Sequence, residues 1–557
     1  MRITFVAIFS FAATASLAQT NVSGQATLGG GLGTATLWDA DVRLEVSNDK
    51  VNFRPYVGIK GITKDTSEEV ETFDYSYRSG ENFSSWSDIQ SEGYTLNYGG
   101  RLNTNFSSAN ELQIVVDASH RSMESVGESI EGLVNLMSSI PVPQEHSDIM
   151  MPVRDQNELK ANASWIHKTQ RPRETLTLRY GFERLSTENE LNQNVTNGQM
   201  PLLQNNVFGD ASTQTHSVSF DWMRPLMPGQ SLTLGARYED KQIKSHDRQE
   251  WNGATLIDNH FTHTTKTSGI NVGYLFSFGP VVGSASLGYD YTDMWNKTLH
   301  DFIPQARVQG NINDANSLTA MYVRRIVRPY LEVLNPTKVI GPYTMDYGNP
   351  ELEGTHINIM SLIYQHKAER ATFTTTAQHI RVEDGFNAIW MVNESDMGVL
   401  AEPRNIRVST WGNQGVRRAW SIAPELMWMP AEGTKLTAKV TLLWDKRIAY
   451  AINMAKEHWG ITTNLRLDQQ LPAGIQLAVH ADYSEGNTID LYSHASRSMD
   501  MGSELRRAFC HDKLIATLAY TYREYAKTIL TQGAYTGVMF RRPDDRSALS
   551  LSLNYKM

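Results

Sequence analysis

Apolar and polar residues alternate along many short segments of this chain, and the last segment shows the pattern most clearly. Residues 547–557 read S-A-L-S-L-S-L-N-Y-K-M. Its apolar members stand at every second position: Leu549, Leu551, Leu553 and Tyr555. Successive side chains of a β-strand point to opposite faces, so this segment predicts a strand with one apolar and one polar face.

The same alternation recurs from the first hundred residues to the end of the chain. It is clearest in residues 51–62, 175–184, 217–222, 231–238, 436–445, 459–468, 475–483 and 514–523. A helix would need a period of 3.6 residues, which these segments lack. Segments of about ten alternating residues, separated by turn residues, are typical of transmembrane β-barrels, where lipid-facing and lumen-facing positions alternate.

Short and long connections also alternate. Ten clusters of Gly, Pro, Asn, Asp and Ser predict tight turns: 47–49, 107–110, 169–172, 225–229, 279–280, 311–316, 367–370, 430–433, 471–474 and 510–512. Long polar stretches that predict loops lie between them: 64–93, 121–156, 186–212, 244–266, 326–353, 393–404 and 524–546. Outer-membrane barrels have short periplasmic turns and long extracellular loops.

Counting the turns gives the size of the barrel. Each turn joins a descending strand to an ascending one, and a strand near residues 24–33 and the final strand complete the set. The sequence therefore predicts an all-β, antiparallel transmembrane barrel of about 22 strands with both termini in the periplasm. The first strand is glycine-rich and weakly patterned, so 20 strands is the alternative.

The first residues have the features of an export signal. Arg2 precedes an apolar run from residue 5 to residue 13, and Ser16 and Ala18 are the small residues of a cleavage site before Gln19. We therefore predict a signal peptide at residues 1–18 and a single barrel domain at residues 19–557, located in a bacterial outer membrane.

Composition agrees with a barrel and excludes some other classes. No later stretch of the 557 residues reaches 18 consecutive apolar residues, and the mean hydropathy is −0.39. A net charge of −9 argues against nucleic acid as a partner. Cys510 is the single cysteine, which excludes an internal disulfide.

One long connection has a helical period. Its apolar residues follow i, i+4, i+7 and i+8 spacing and end before Pro141: Val126, Ile130, Leu133, Val134, Met137 and Ile140. We predict a helix in residues 121–141, which either packs on the barrel rim, folds into the pore as a constriction or covers the pore as a lid.

Motifs for chemistry are few. Residues 29–33 are glycine-rich but lack the lysine and the helix of a phosphate loop, so a strand is the better interpretation. His260 and His263 form H-x-x-H in a predicted loop, with Glu250 nearby, and would bind a metal only if their side chains converged. The acidic residues at 68, 69 and 71 read as a solvated loop face. We predict no enzyme and no cofactor.

The most distinctive stretch is residues 322–354, which contains R-R-I-V-R-P, then L-N-P, then G-N-P-E-L. This order and spacing resemble the barrel of TonB-dependent receptor-like outer-membrane proteins of Bacteroidetes. The matching positions, to which we assign a structural role at the barrel rim, are Arg324, Arg325, Arg328, Pro329, Leu334, Asn335, Pro336, Gly348, Asn349, Pro350 and Leu352.

The resemblance implies uptake or passage of a solute through the barrel. Full-length members carry an N-terminal plug, for which few residues are present between Gln19 and the first strand. The expected partners are therefore outer-membrane lipid, an unknown solute, and a separately encoded plug, a surface lipoprotein or a TonB-type energiser. The alternatives are a non-conducting surface-binding barrel, a scaffold for a lipoprotein or secretion partner and, last, a rim hydrolase.

Overall fold

The computed structural model describes most of the chain, and β-strands dominate that part. The described residues are 21–32, 36–74, 81–135, 145–197, 200–294, 297–340, 344–395, 404–413, 415–449, 454–487, 493–524, 528–532, 535–543 and 546–556. The predicted signal peptide at residues 1–18 lies outside them.

Twenty-two strands form a closed antiparallel ring, as the sequence predicted. The first half of this wall comprises β1 (Asn21–Leu32), β2 (Thr36–Ser47), β3 (Val51–Asp74), β4 (Glu81–Ser107), β5 (Asn110–Asn135), β6 (Glu145–Lys168), β7 (Thr175–Asn197), β8 (Met200–Met227), β9 (Gln230–Trp251), β10 (Ala254–Phe278) and β11 (Val281–Met294). The second half comprises β12 (Lys297–Asn311), β13 (Asn316–Val327), β16 (Thr355–Lys367), β17 (Ala371–Glu383), β20 (Gly415–Trp428), β21 (Thr434–Ala449), β22 (Met454–Leu471), β23 (Ile475–Glu485), β25 (Ser498–Phe509), β26 (Leu514–Glu524) and β29 (Arg546–Lys556). The ring closes where β1 pairs with β29, with Thr27 opposite Asn554.

The remaining described elements are short and are not among the 22 strands of the ring. They are the helix α1 (Leu331–Leu334), the 3-10 turn Pro472–Gly474, and the strands β14 (Val339–Ile340), β15 (Thr344–Asp346), β18 (Phe386–Ser395), β19 (Arg404–Asn413), β24 (Ser493–Ala495), β27 (Thr528–Gln532) and β28 (Tyr535–Pro543). The strands β14, β15, β19 and β18 form a separate four-stranded sheet. The strands β24, β27 and β28 instead extend the sheet of the wall, because β28 pairs with β3, β27 with β28 and β24 with β27. In the part of the chain that is described, no helix is long and apolar enough to cross a membrane.

All ten predicted tight turns are confirmed, and they lie at one end of the ring. The turn between β8 and β9 shows why its residue types are needed. Gly229 has a φ of 78°, and a Cβ on it would lie 2.7 Å from the Ser277 carbonyl oxygen, so an L side chain would be strained there. Because the turns are short, this end corresponds to the periplasmic end of a barrel.

Side chains on the outside of the wall are apolar over a band next to the turns. In β29 the exposed fractions of Leu549, Leu551 and Leu553 are 51%, 53% and 42%. In β10 the exposed fractions of Ile270 and Val272 are 61% and 49%. Such a continuous exposed apolar surface is unfavourable in water and suits lipid. The alternate residues of each strand therefore face the lipid and the lumen in turn.

The strands of the first half of the wall are much longer than a membrane crossing requires. Strands β3 to β10 have 22 to 28 residues each, whereas about 10 residues suffice to cross. The prediction of loops at 64–93, 121–156, 186–212 and 244–266 is therefore largely wrong. In their described residues these polar stretches are strands that continue the wall beyond the membrane, because their backbone groups stay paired with both neighbours.

The predicted helix is also wrong for residues 121–135, which belong to β5; residues 136–141 lie outside the described residues. Arg121 pairs with Thr95 on one side and with Gln156 on the other. The backbone hydrogen bonds to two neighbouring strands outweigh the local helical period of the apolar residues, as tertiary context commonly does.

Candidate functional site

The motif segment folds into the interior of the barrel as the connection between β13 and β16. We call residues 328–354 the inner loop, of which the structure describes 328–340 and 344–354. It packs against residues of β10 that alternate with the lipid-facing Ile270 and Val272, such as Phe261 and His263, whose exposed fractions are 4% and 1%. Because side chains alternate between faces and the β9–β10 register is regular over this stretch, these residues face the lumen.

An apolar cluster holds the inner loop in place. Val333, Leu334 and Leu352 of the loop have exposed fractions of 0%, 1% and 0%, and they pack with Ile243 of β9 and Phe261 of β10. Full burial of one such side chain contributes about 1.5–3 kcal/mol. A second cluster, in which Ile340 and Met345 of the loop pack with Trp251 of β9, adds to this apolar contact between the loop and the wall.

Asn335 of the L-N-P segment connects the loop to β9. Its Nδ2 donates to Asp247 Oδ2 at 2.7 Å and to Ser245 Oγ at 3.2 Å. Its Oδ1 accepts from the backbone N–H and the hydroxyl of Thr337, at 3.1 and 2.8 Å, an arrangement that closes a turn before β14. One amide side chain thus fixes both the local turn and the docking of the loop.

The G-N-P segment closes the loop on itself. The Gly348 N–H donates to the Asn335 carbonyl at 2.7 Å, and the Asn349 N–H donates to the Val333 carbonyl at 2.7 Å. A Cβ on Gly348 would lie 2.6 Å from the Asn335 carbonyl oxygen, so only glycine allows this approach. The Asn349 Nδ2 also donates to the Trp411 carbonyl at 2.9 Å, which ties the loop to β19.

Arg328 forms a separate anchor with the neighbouring wall. Its Nη2 lies 2.5 Å from Asp301 Oδ2 and donates to Thr292 Oγ1 at 3.0 Å. Asp301, which is 5% exposed, also lies 2.8 Å from His356 Nε2. The carboxylate has partners on both oxygens, as a buried charge requires.

The other motif residues are placed around these anchors. Arg324 and Arg325 lie in β13, half-buried and exposed respectively, opposite Asn358 and Ile357. The prolines at 329, 336 and 350 are buried, exposed and half-buried. The structure therefore brings Asn335, Gly348 and Leu352 together and leaves Arg324 and Arg325 on the wall.

Sequence reasoning missed the wall residues that receive the loop. The side-chain amide of Gln249 donates to the Ile340 carbonyl at 2.6 Å and accepts from the Ile340 N–H at 3.1 Å, as a strand backbone would. Asn259 donates to Thr337 Oγ1 at 2.6 Å. These polar residues looked like ordinary members of a solvated loop, and only the fold shows that they face inward.

The lumen near the turn end is lined with charges. A cavity of about 1000 Å³ lies against β1 to β5 and β29. Within it Glu45 Oε1 accepts from Asn52 and from Arg54, both at 2.7 Å, and the Tyr56 hydroxyl donates to Asp117 at 2.7 Å. These charged and polar side chains can contact a hydrated solute or a protein segment.

The histidine pattern does not converge as written in the sequence. His263 faces the lumen, and burial lowers its pKa, as does the charge of Lys241. His260 faces outward, where it stacks on His246 with ring centroids 4.1 Å apart. Glu250 pairs with Arg248. The H-x-x-H pair is therefore split between two faces of β10, so its two rings cannot share a metal.

The other sequence motifs are strand segments. Gly29 and Gly30 belong to β1, opposite Asp39 and Trp38 of β2. Strand β3 includes the acidic residues at positions 68, 69 and 71, which were expected in a loop.

Comparison with known proteins agrees with the geometry. The barrel is similar to a ferric enterobactin receptor variant from Pseudomonas aeruginosa, with a TM-score of 0.65, 11% identity, and coverage of 97% of this chain and 82% of that one. It is also similar to the siderophore receptor PirA of Pseudomonas aeruginosa (TM-score 0.60, 12% identity, 96% and 80% covered) and to the FrpB iron transporter of Neisseria meningitidis (0.59, 11%, 97% and 82%). At these identities the similarity concerns the fold.

Sequence comparison adds the family. A search of curated protein sequences gave no significant match. The model of the outer membrane protein beta-barrel family, in contrast, matches residues 167–555, which is more than half of the chain. The protein therefore belongs to this family of outer-membrane β-barrels.

Proposed function

We propose that this barrel mediates the uptake or passage of a solute across the outer membrane. The observation that carries the proposal is a 22-strand ring with a charged lumen, into which a loop of the chain itself is folded. Barrels of this size enclose a lumen wide enough to need a plug in transporters. The inner loop covers the wall at β9 and β10, so it narrows the passage from one side.

The comparisons support a solute class to test first. The similar structures include receptors for siderophores and an iron transporter. We accordingly propose a metal chelate as the solute. The expected helpers are a separately encoded plug, a surface lipoprotein or a TonB-type energiser, and the charged cavity against β1 to β5 is the surface we assign to such a protein segment.

A second function is favoured by the long hairpins. Strands β3 to β10 extend beyond the membrane by about as many residues as they need to cross it. Such an extension adds nothing to conduction but provides a tall outer surface. The alternative is therefore a surface-binding or scaffold barrel that does not conduct.

Conductance in planar bilayers separates the two functions. The purified barrel is compared with a variant in which residues 328–354 are replaced by a short Gly-Ser turn, and heat-dependent gel mobility confirms that both are folded. If the barrel mediates uptake or passage, the variant should show larger channel openings than the native barrel and faster entry of ferric chelates into liposomes. Two folded barrels that both stay silent would contradict passage and favour the scaffold.

A further inference from the structure

Three possible metal ligands converge on the outer face of the long β9–β10 hairpin. They are His246, Asp258 and His260, and one ligand atom from each lies within 4.8 Å of the other two. His246 and His260 are directly opposite each other in the strand register, with ring planes 12° from parallel. His246 Nε2 lies 2.8 Å from Asp258 Oδ1, and this contact lowers the pKa of Asp258.

The donor set selects the type of metal. Two imidazoles and a carboxylate suit zinc and its neighbours, whose bonds to such ligands are about 2.0–2.2 Å, rather than calcium or magnesium, which prefer oxygen alone. In the structure His246 Nε2 and Asp258 Oδ1 are hydrogen-bond partners. A metal would take the place of this hydrogen bond and draw both groups and His260 together by rotation of exposed side chains.

The same face carries a row of carboxylates beside the histidines. By strand register Asp155 lies opposite Glu188, Glu188 opposite Asp210, and Asp210 opposite His246. Like charges directly opposite each other across strands are destabilising. A cation bound at His246 and His260 would offset the repulsion at one end of this row, and Asp210 is placed to approach it.

The inner face of the same hairpin segment holds the inner loop. Ser245 and Asp247 flank His246 in β9 and accept from Asn335, while Phe261 follows His260 in β10 and belongs to the apolar cluster. We propose that His246, Asp258 and His260 form a surface site for a divalent transition metal such as Zn²⁺. The metal clamps β9 to β10 directly behind the inner-loop anchor.

Calorimetric titration of the folded, untagged barrel with ZnCl₂ tests the site. We expect saturable binding of one equivalent, weakened at least about tenfold in His246→Ala and in His260→Ala. Asp258→Asn should weaken it to a smaller extent, and Asp210→Asn less again. His511→Ala, an exposed histidine in a turn at the other end of the barrel, is the matched control and should not change the affinity.

Hydrogen exchange supplies an independent readout. Zinc should slow exchange of backbone amides at residues 240–263 in the native protein and not in His246→Ala. Absence of one-to-one binding, or binding that is equal in the native protein and in both histidine variants, would overturn the proposal. Either result leaves the conductance test of the barrel unaffected, because the site lies on the outside of the wall.

Discussion

The wall and the inner loop are built from the same chain but are stabilised in different ways. Every wall strand pairs with two neighbours, so its backbone N–H and C=O groups are hydrogen-bonded whatever its side chains are. Its lipid face needs only to be apolar. The inner loop has little regular structure. It is held by a few side chains, chiefly Leu352, Asn335 and Arg328, each with specific partners.

This difference determines how each region responds to substitution. A substitution on the wall leaves the many other strand pairs intact. A substitution of an anchoring side chain in the loop removes a large part of the contact that holds the loop to the wall. We therefore expect that the loop can be released without loss of the barrel, as a segment that narrows a passage would require. Substitutions that affect only one of the two regions test this separation.

The largest effect is expected for Leu352→Asp. An unpaired carboxylate would replace a side chain that is 0% exposed, at a cost above about 4 kcal/mol for the docked loop. Proteolysis should then cleave the inner loop while heat-dependent gel mobility of the barrel stays native. Pro336→Ala, at an exposed position of the same loop, is the control. Loss of the folded barrel in Leu352→Asp would show that the two regions are not separable.

A smaller effect, confined to the wall, is expected for Leu551→Arg. Leu551 faces lipid in β29, and an arginine on the lipid face costs about 2–4 kcal/mol near the bilayer midplane. Denaturant unfolding in lipid vesicles should show this loss. Ser552→Arg places the same side chain one residue along the strand, on the lumen face, and should be nearly neutral. Equal losses in the two variants would mean that β29 does not alternate between lipid and lumen.

The wall could be predicted from the sequence because its signals are local and repeated. A period of two residues identifies strands without knowledge of their partners, and turn residues mark their ends. Ten turns account for 20 strands, and the first and last strands bring the number to 22. The first strand is the weakest part of this count, because its glycine-rich sequence alternates poorly.

The contacts of the inner loop could not be predicted, because they join residues far apart in the chain. Gln249 reaches Ile340, and Asn335 reaches Asp247, across separations that no local pattern encodes. The outer hairpins were misread for a related reason. Their polar residues on both faces resemble a loop, and the strand register that also aligns His246 with His260 is visible only in three dimensions.

The smallest effect is expected from a change of pH and concerns both regions. It acts through His263, a wall residue that lies opposite Ile243 of the apolar cluster. Burial lowers the pKa of His263, and Lys241 lowers it further, so the unfolded hairpin binds more protons than the folded one between the two pKa values. Stability of this segment therefore rises with pH there. The stabilising contribution of neutral His263 is complete above the ordinary histidine pKa of about 6.5 and is lost as the pH falls through its lowered pKa.

Hydrogen exchange at residues 243–263 and 328–340, measured with chelator present and corrected for intrinsic rates, should show weaker protection at about pH 5 than at about pH 7.5. His263→Gln, which cannot titrate, should remove most of this difference. The same loss of protection in that variant would assign the pH response to other groups, and protection that increased on acidification would contradict the lowered pKa.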